Sequence, residues 1–90
     1  MNKVYKFVFS AKADEDFSGL TLLIQKRIVA KLEYFSKSEN PLYFAKKLVG
    51  AQNKFRFRVG DYRIIVGKID EDHFVVLLVL KIAHRREVYE

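Results

Sequence analysis

Ninety residues make one domain, residues 1–90, and with half of them hydrophobic the chain can bury a core without covalent staples. There is no cysteine, which excludes disulfides and thiolate metal sites and fits a reducing cytoplasm. Seventeen Lys and Arg stand against eleven Asp and Glu, a formal charge of +6 that favours an anionic partner. The longest run without a polar residue, Phe74–Leu80, is far short of the ~20 residues of a membrane-spanning helix.

The first predicted element is a strand over Val4–Phe9, rich in β-branched and aromatic residues. Lys6 interrupts it, so it is too short and too polar for a signal-peptide core, although Ala11-Lys12-Ala13 resembles a cleavage site. Ser10 is a candidate cap for a short helix with Asp14, Glu15 and Asp16 near its positive end, and Gly19 stops it. Thr21 caps a longer helix in which Ile24, Ile28, Leu32 and Phe35 form one apolar stripe. The two helices are expected to form an antiparallel hairpin. Ser36–Pro41 reads as a turn. Tyr43–Val49 reads as a helical turn or extended linker that tucks Phe44, Leu48 and Tyr43 against the core, ending at Gly50.

Three strands follow, Asn53–Val59, Tyr62–Ile69 and His73–Ile82, with Asp70-Glu71-Asp72 as the solvated turn between the last two. From Lys54 to Val59 cationic and apolar residues alternate strictly, the pattern of a strand with one buried face. Gly60-Asp61 suits a two-residue hairpin loop. Val59 then pairs with Tyr62 and Arg58 with Arg63, so Lys54, Arg56, Arg58 and Arg63 share one face. A three-residue turn at Asp70-Glu71-Asp72 pairs Ile69 with His73 and Arg63 with Val79. On that register Phe55, Phe57, Val59, Tyr62, Ile64, Val66, Phe74, Val76, Leu78, Leu80 and Ile82 form the helix-covered face. Ile65, His73, Val75, Leu77, Val79 and Lys81 join the cations on the open one, where Ile65, Leu77 and Val79 make an apolar floor. The expected architecture is an α+β domain in the order β-α-α-β-β-β, an antiparallel-rich sheet of about four strands with an N-terminal helical hairpin on one face.

Like charges placed opposite one another destabilise a sheet, so four cations on one face call for a reason. An RNA or other polyanion supplies one; a solvated edge strand whose Lys residues deter aggregation is the plainer alternative. Standard catalytic sets are missing: there is no Gly-x-Ser-x-Gly nucleophile, no phosphate-binding glycine loop, and His73 and His84 are not spaced as metal ligands. No cofactor is expected. The available chemistry is arginine, which contacts phosphate in bidentate fashion and can stabilise charge developing on its oxygens. Tyr89 or His84 could move a proton, and clustered cations would lower the tyrosine's pKa toward neutrality. Tyr89 could equally be a packing residue.

The element order, the segment Leu48-Val49-Gly50 followed by Phe55-Arg56-Phe57-Arg58-Val59-Gly60-Asp61-Tyr62-Arg63-Ile64-Ile65, and the ending His84-Arg85-Arg86-Glu87-Val88-Tyr89 together resemble the RelE/ParE superfamily of toxin–antitoxin toxins. The resemblance spans nearly the whole chain. It implies the RelE/ParE-like fold and, for the RelE-like branch, a ribosome-dependent mRNA interferase that drives the 2′-hydroxyl onto the adjacent phosphate without a metal. On that resemblance the active-site basic pair falls on Lys54 and Arg56, the central arginine on Arg63, the C-terminal arginine on Arg85 or Arg86, and the terminal tyrosine on Tyr89, with His84 as an alternative base. The RNA-binding set would be Lys54, Arg56, Arg58, Arg63, Lys81, Arg85 and Arg86. The implied partners are a cognate antitoxin, the ribosome and mRNA, in the cytoplasm and with no membrane. For a ParE-like member the target would be DNA gyrase, without nuclease activity; a third possibility is an inactive RNA- or protein-binding relative.

Overall fold

The computed structural model describes residues 3–87. Strand β1 (Val4–Phe9) leads into helix α1 (Ala11–Ser18), and Ser10 caps it by accepting a hydrogen bond from Ala13 N–H at 3.1 Å. Helix α2 (Leu22–Lys37) begins at Thr21, whose hydroxyl accepts from Ile24 N–H. Between the helices, the Gln25 side-chain amide donates to the carbonyls of Phe17 and Leu20 and fixes the connection. Ile28, Leu32 and Phe35 of the predicted stripe are buried and Ile24 packs against them.

A 3-10 turn at Pro41–Phe44 follows, capped by Asn40, and then a strand the sequence did not announce, β2 (Ala45–Lys47). Three strands complete the sheet: β3 (Lys54–Val59), β4 (Tyr62–Asp70) and β5 (Phe74–His84), with a final 3-10 turn at Arg85–Glu87. The sheet has five strands in the order β1-β5-β4-β3-β2, not about four. β1 runs parallel to β5 and the other pairs are antiparallel. Both helices lie on one face, where Ala13, Ile28, Leu32 and Phe35 meet Phe57, Val59, Ile64, Val66, Val75, Leu77, Val79 and Ile82. Phe57 is its centre, stacked on Phe35 (5.1 Å between ring centroids) and edge-on to Phe7 (5.4 Å). Full burial of one such ring contributes roughly 1.5–3 kcal/mol.

The β3–β4 hairpin has the expected register, Val59 opposite Tyr62 and Arg58 opposite Arg63, and Gly60 in its turn has φ +58°. The β4–β5 register differs. Asp70 faces Val75 and Arg63 faces Ala83, not Val79. A β-bulge lies between the pairs Val66–Val79 and Ile65–Lys81, with Leu80 as the extra residue. The faces of Phe74–Leu80 are therefore exchanged relative to the sequence reading. Val75, Leu77 and Val79 are core, whereas Phe74, Val76, Leu78 and Leu80 sit on the open side. Ile82 and Lys81, beyond the bulge, are on the faces expected. His73 lies in the turn, outside the strand. Tyr43 is 85% exposed and does not tuck in, while Phe44 stacks on Phe35 at 4.9 Å. The long helix also continues to Lys37, into the segment read as a turn.

Candidate nucleic-acid interface

The register orders the open face into rows. Across the end nearest the β3–β4 turn run Arg58, Arg63 and Ala83. The next row is Lys46, Arg56, Ile65 and Lys81, and the next Lys54, Gly67, Leu78 and Val8. Beyond these come Ile69, Val76 and Lys6, then Phe74 and Val4. Among the described strand residues this face carries cations at 6, 46, 54, 56, 58, 63 and 81 and no acid. Six of the seven cluster on β2, β3, the start of β4 and the end of β5; the other half of the face is apolar apart from Lys6.

Arg63 is central. Arg58 is directly opposite, and Arg56 and Lys81 are diagonal neighbours, at the ~7–8 Å that cross-strand diagonals span. Arg56 and Arg63 are each only 8% exposed, so both guanidinium groups lie low against the sheet. Ala83 opposite Arg63 leaves room for that. One Arg63 nitrogen, Nη1, donates to the carbonyls of Gly60 and Tyr62, both at 3.4 Å, which aims the side chain at the β3–β4 turn. Lys46, Lys54, Arg58 and Lys81 are exposed around this pair.

The chain after β5 is stitched to the same turn. Arg85 N–H donates to the Asp61 carbonyl at 2.7 Å, and Arg85 Nε lies 3.7 Å from Asp61 Oδ1. Arg85 thus stands at the β3–β4 turn toward which Arg63 is aimed, and Arg86 is exposed in the same 3-10 turn. His84 is placed elsewhere. It pairs with Tyr62 on the helix side of the sheet, its ring edge-on to the tyrosine at 5.4 Å, and its Nδ1 accepts a hydrogen bond from Arg86 N–H. The structure therefore brings together Lys54, Arg56, Arg58, Arg63, Lys81 and Arg85, and sets His84 on the opposite face. Tyr89 lies outside the described residues.

Two contributors escaped the sequence reading. Lys46 joins the cluster through β2, a strand too short to show a pattern. Asp16 of α1 reaches across to β5, where its Oδ2 accepts from Ile82 N–H at 3.0 Å just past the bulge; it also pairs with Lys12. Burial works against the ionised carboxylate, but the hydrogen bonds from Lys12 and Ile82 and the charges of Lys12 and Lys81 outweigh it and hold Asp16 below its ordinary pKa. The only sequence signal was an acid in the first predicted helix. Among the described residues no group of three or more His, Asp or Glu side chains could hold a metal ion.

No protein-family model and no curated protein matches the sequence. Solved structures do match it. The RelB–RelE antitoxin–toxin complex from Methanococcus jannaschii is 24% identical, over 89% of this chain and 92% of that chain, with a TM-score of 0.65. A RelBE toxin–antitoxin complex from Mycobacterium tuberculosis is 28% identical, over 90% and 98%, at 0.62. The intact E. coli RelBE complex is 21% identical, over 89% and 95%, at 0.70. The chain has the RelE-like toxin fold.

Proposed function

We propose that this chain is the toxin of a type II toxin–antitoxin system and acts as a ribosome-dependent mRNA endoribonuclease. The observation that carries the reading is the acid-free sheet face with Arg63 at the centre of a cationic cluster, on a RelE-like fold. The solved relatives pair RelE toxins with RelB antitoxins, which supports a cognate antitoxin as a partner here. The apolar half of the open face offers such a partner a surface beside the cations.

In the proposed reaction the 2′-oxygen of one nucleotide bonds to the adjacent phosphorus as the phosphorus–5′-oxygen bond breaks. Negative charge grows on the non-bridging oxygens. Arg63 and Arg56, held flat against the sheet, are preorganised to meet that charge. Lys54, Arg58, Lys81 and Arg85 hold the flanking phosphates. Because the nucleophile belongs to the RNA, the step calls for no metal-activated water. A base takes the 2′-hydroxyl proton and an acid protonates the leaving 5′-oxygen. We assign removal of the 2′-hydroxyl proton to Tyr89, since His84 faces the helices with Nδ1 already engaged, and the leaving 5′-oxygen takes its proton from solvent water. Mapping mRNA 5′ ends and gyrase-linked DNA breaks after induction tests the reading. New 5′ ends within translated codons are expected. DNA breaks without mRNA cleavage would replace it with a gyrase poison, and neither signal would leave only a binding module.

A further inference from the structure

We infer that the aromatic residues beside the β2 edge, Tyr43 foremost, form a base-stacking platform for single-stranded RNA that leaves the cationic face over β2. The inference rests on RNA as the partner of that face, and not on cleavage or on the ribosome.

The row Ile65, Arg56, Lys46 ends on β2, the outermost strand. Lys46 stands on the open face and Lys47, one residue on, stands on the other, so exposed cations lie on both sides of this edge. Immediately before β2, the 3-10 turn presents Tyr43, 85% exposed, and Phe44, 44% exposed. Phe44 is edge-on to Tyr34 of α2 at 5.7 Å, and Tyr34 is itself 58% exposed. Lys31 Nζ lies over the Tyr34 ring, 5.3 Å from its centroid. Three neighbouring aromatic residues thus reach solvent, bordered by exposed lysines at 31, 46 and 47. Phe44 also closes the core by stacking on Phe35, but Tyr43 leaves most of its surface in water, which is unfavourable for a ring unless something covers it.

Charge and continuity select the occupant. The lysines attract a polyanion, and β2 lies two strand spacings, ~10 Å, from the strand that carries Arg63. RNA held by its phosphates on the cationic face keeps its bases free, and every base offers a flat face to an aromatic side chain without regard to sequence. Of the acids nearest in sequence, Glu33 lines a groove on the β1 side of α2, and Glu39 is exposed in the loop with Lys37 two residues before it.

The test is fluorescence anisotropy of the full chain with two labelled probes, an oligoadenylate of about 12 nucleotides and an abasic ribose-phosphate oligomer of the same length. Tyr43→Ala, at an exposed position where the fold should be unaffected by circular dichroism, is expected to weaken oligoadenylate binding about 5-fold or more. It should leave the salt slope and the binding of the abasic oligomer unchanged, whereas Lys47→Gln should lower the slope by about 0.7. Tyr43→Trp should keep the affinity and supplies the chain's single tryptophan, whose emission oligoadenylate should quench and the abasic oligomer should not. Unchanged oligoadenylate affinity in Tyr43→Ala, equal weakening on both probes, or tryptophan emission indifferent to the bases overturns the inference. If replacing Lys46, Lys54, Arg58 and Lys81 by Gln still weakens binding in that case, the cationic face stands without the platform. If the unaltered chain binds neither probe, the RNA-binding reading of the face falls as well.

Discussion

Asp16 is the residue through which α1 controls the far end of β5, and substituting it tests that role. Its side chain is 13% exposed, and the N–H it accepts from belongs to Ile82, itself 4% exposed. Asp16→Ala leaves that donor without its acceptor in a largely buried position, which costs up to ~1–3 kcal/mol. That is a large share of the ~5–15 kcal/mol by which domains are stable. Asp16→Asn keeps an oxygen at the same place and should lose far less, because the Lys12 partner is mostly exposed. Urea unfolding followed by circular dichroism at neutral pH separates the two variants. The pH dependence follows from the depressed pKa. Between the lower folded value and the ordinary value near 4, the unfolded chain binds more protons than the folded one, so stability rises with pH there. The Asp16 contribution is therefore complete above about pH 4 and is lost as the pH falls through the folded value, and Asp16→Asn should flatten that part of the profile. Equal losses in the alanine and asparagine variants, or an unchanged acid profile, would refute the assignment.

Three further outcomes bear on the cationic face. Arg63→Ala should lower cleavage by on the order of 10²–10³-fold while the variant stays folded, since one preorganised charge donor is lost; continued growth arrest on inducing the folded variant would remove Arg63 from the catalytic set. Replacing the exposed cations Lys46, Lys54, Arg58 and Lys81 by Gln should reduce the log–log salt slope of single-stranded RNA binding by about 3, as four phosphate contacts disappear, and fluorescence anisotropy across a salt series measures it. Tyr89→Phe should leave ribosome binding intact and cut single-turnover mRNA cleavage roughly 10²-fold, and undiminished cleavage would take the proton-transfer role away from Tyr89.

The parts of the fold legible in the sequence are those where local chemistry leaves one solution. Ser10 and Thr21 are caps because their hydroxyls accept from Ala13 and Ile24, and both helices start where those residues stand. The β3–β4 register follows from strict alternation plus Gly60-Asp61, and with it the shared face of Lys54, Arg56, Arg58 and Arg63. β2 was invisible because Ala45-Lys46-Lys47 is too short to show a period and is defined by its pairing with Phe55–Phe57. The face assignment of β5 failed for a different reason. Phe74–Leu80 is apolar at every position, so both faces look like core and alternation carries no information. The low placement of Arg56 and Arg63 was also unreadable, since burial of a long cation depends on what the neighbouring strands leave open, as Ala83 does opposite Arg63.

That uniformly apolar run and the bulge that ends it account for the division of the open face. Val79 and Ile82 are three residues apart and both buried, which a regular strand cannot arrange; the extra residue Leu80 makes it possible. Before the bulge, the open side of β5 is Phe74, Val76 and Leu78, flanked by Val4, Lys6 and Val8 of β1 and Ile69 of β4. After it, the open side is Lys81 and Ala83, set against Ile65 and Arg63. One strand thus supplies an apolar surface at one end and completes a cationic cluster at the other. Asp16 holds the bulge through the first N–H beyond Lys81, so the position of Lys81, and of Arg85 four residues later, is fixed from the helix layer on the far side of the sheet. A loss of RNA binding in Asp16→Ala at temperatures where the domain remains folded would be the functional trace of that coupling.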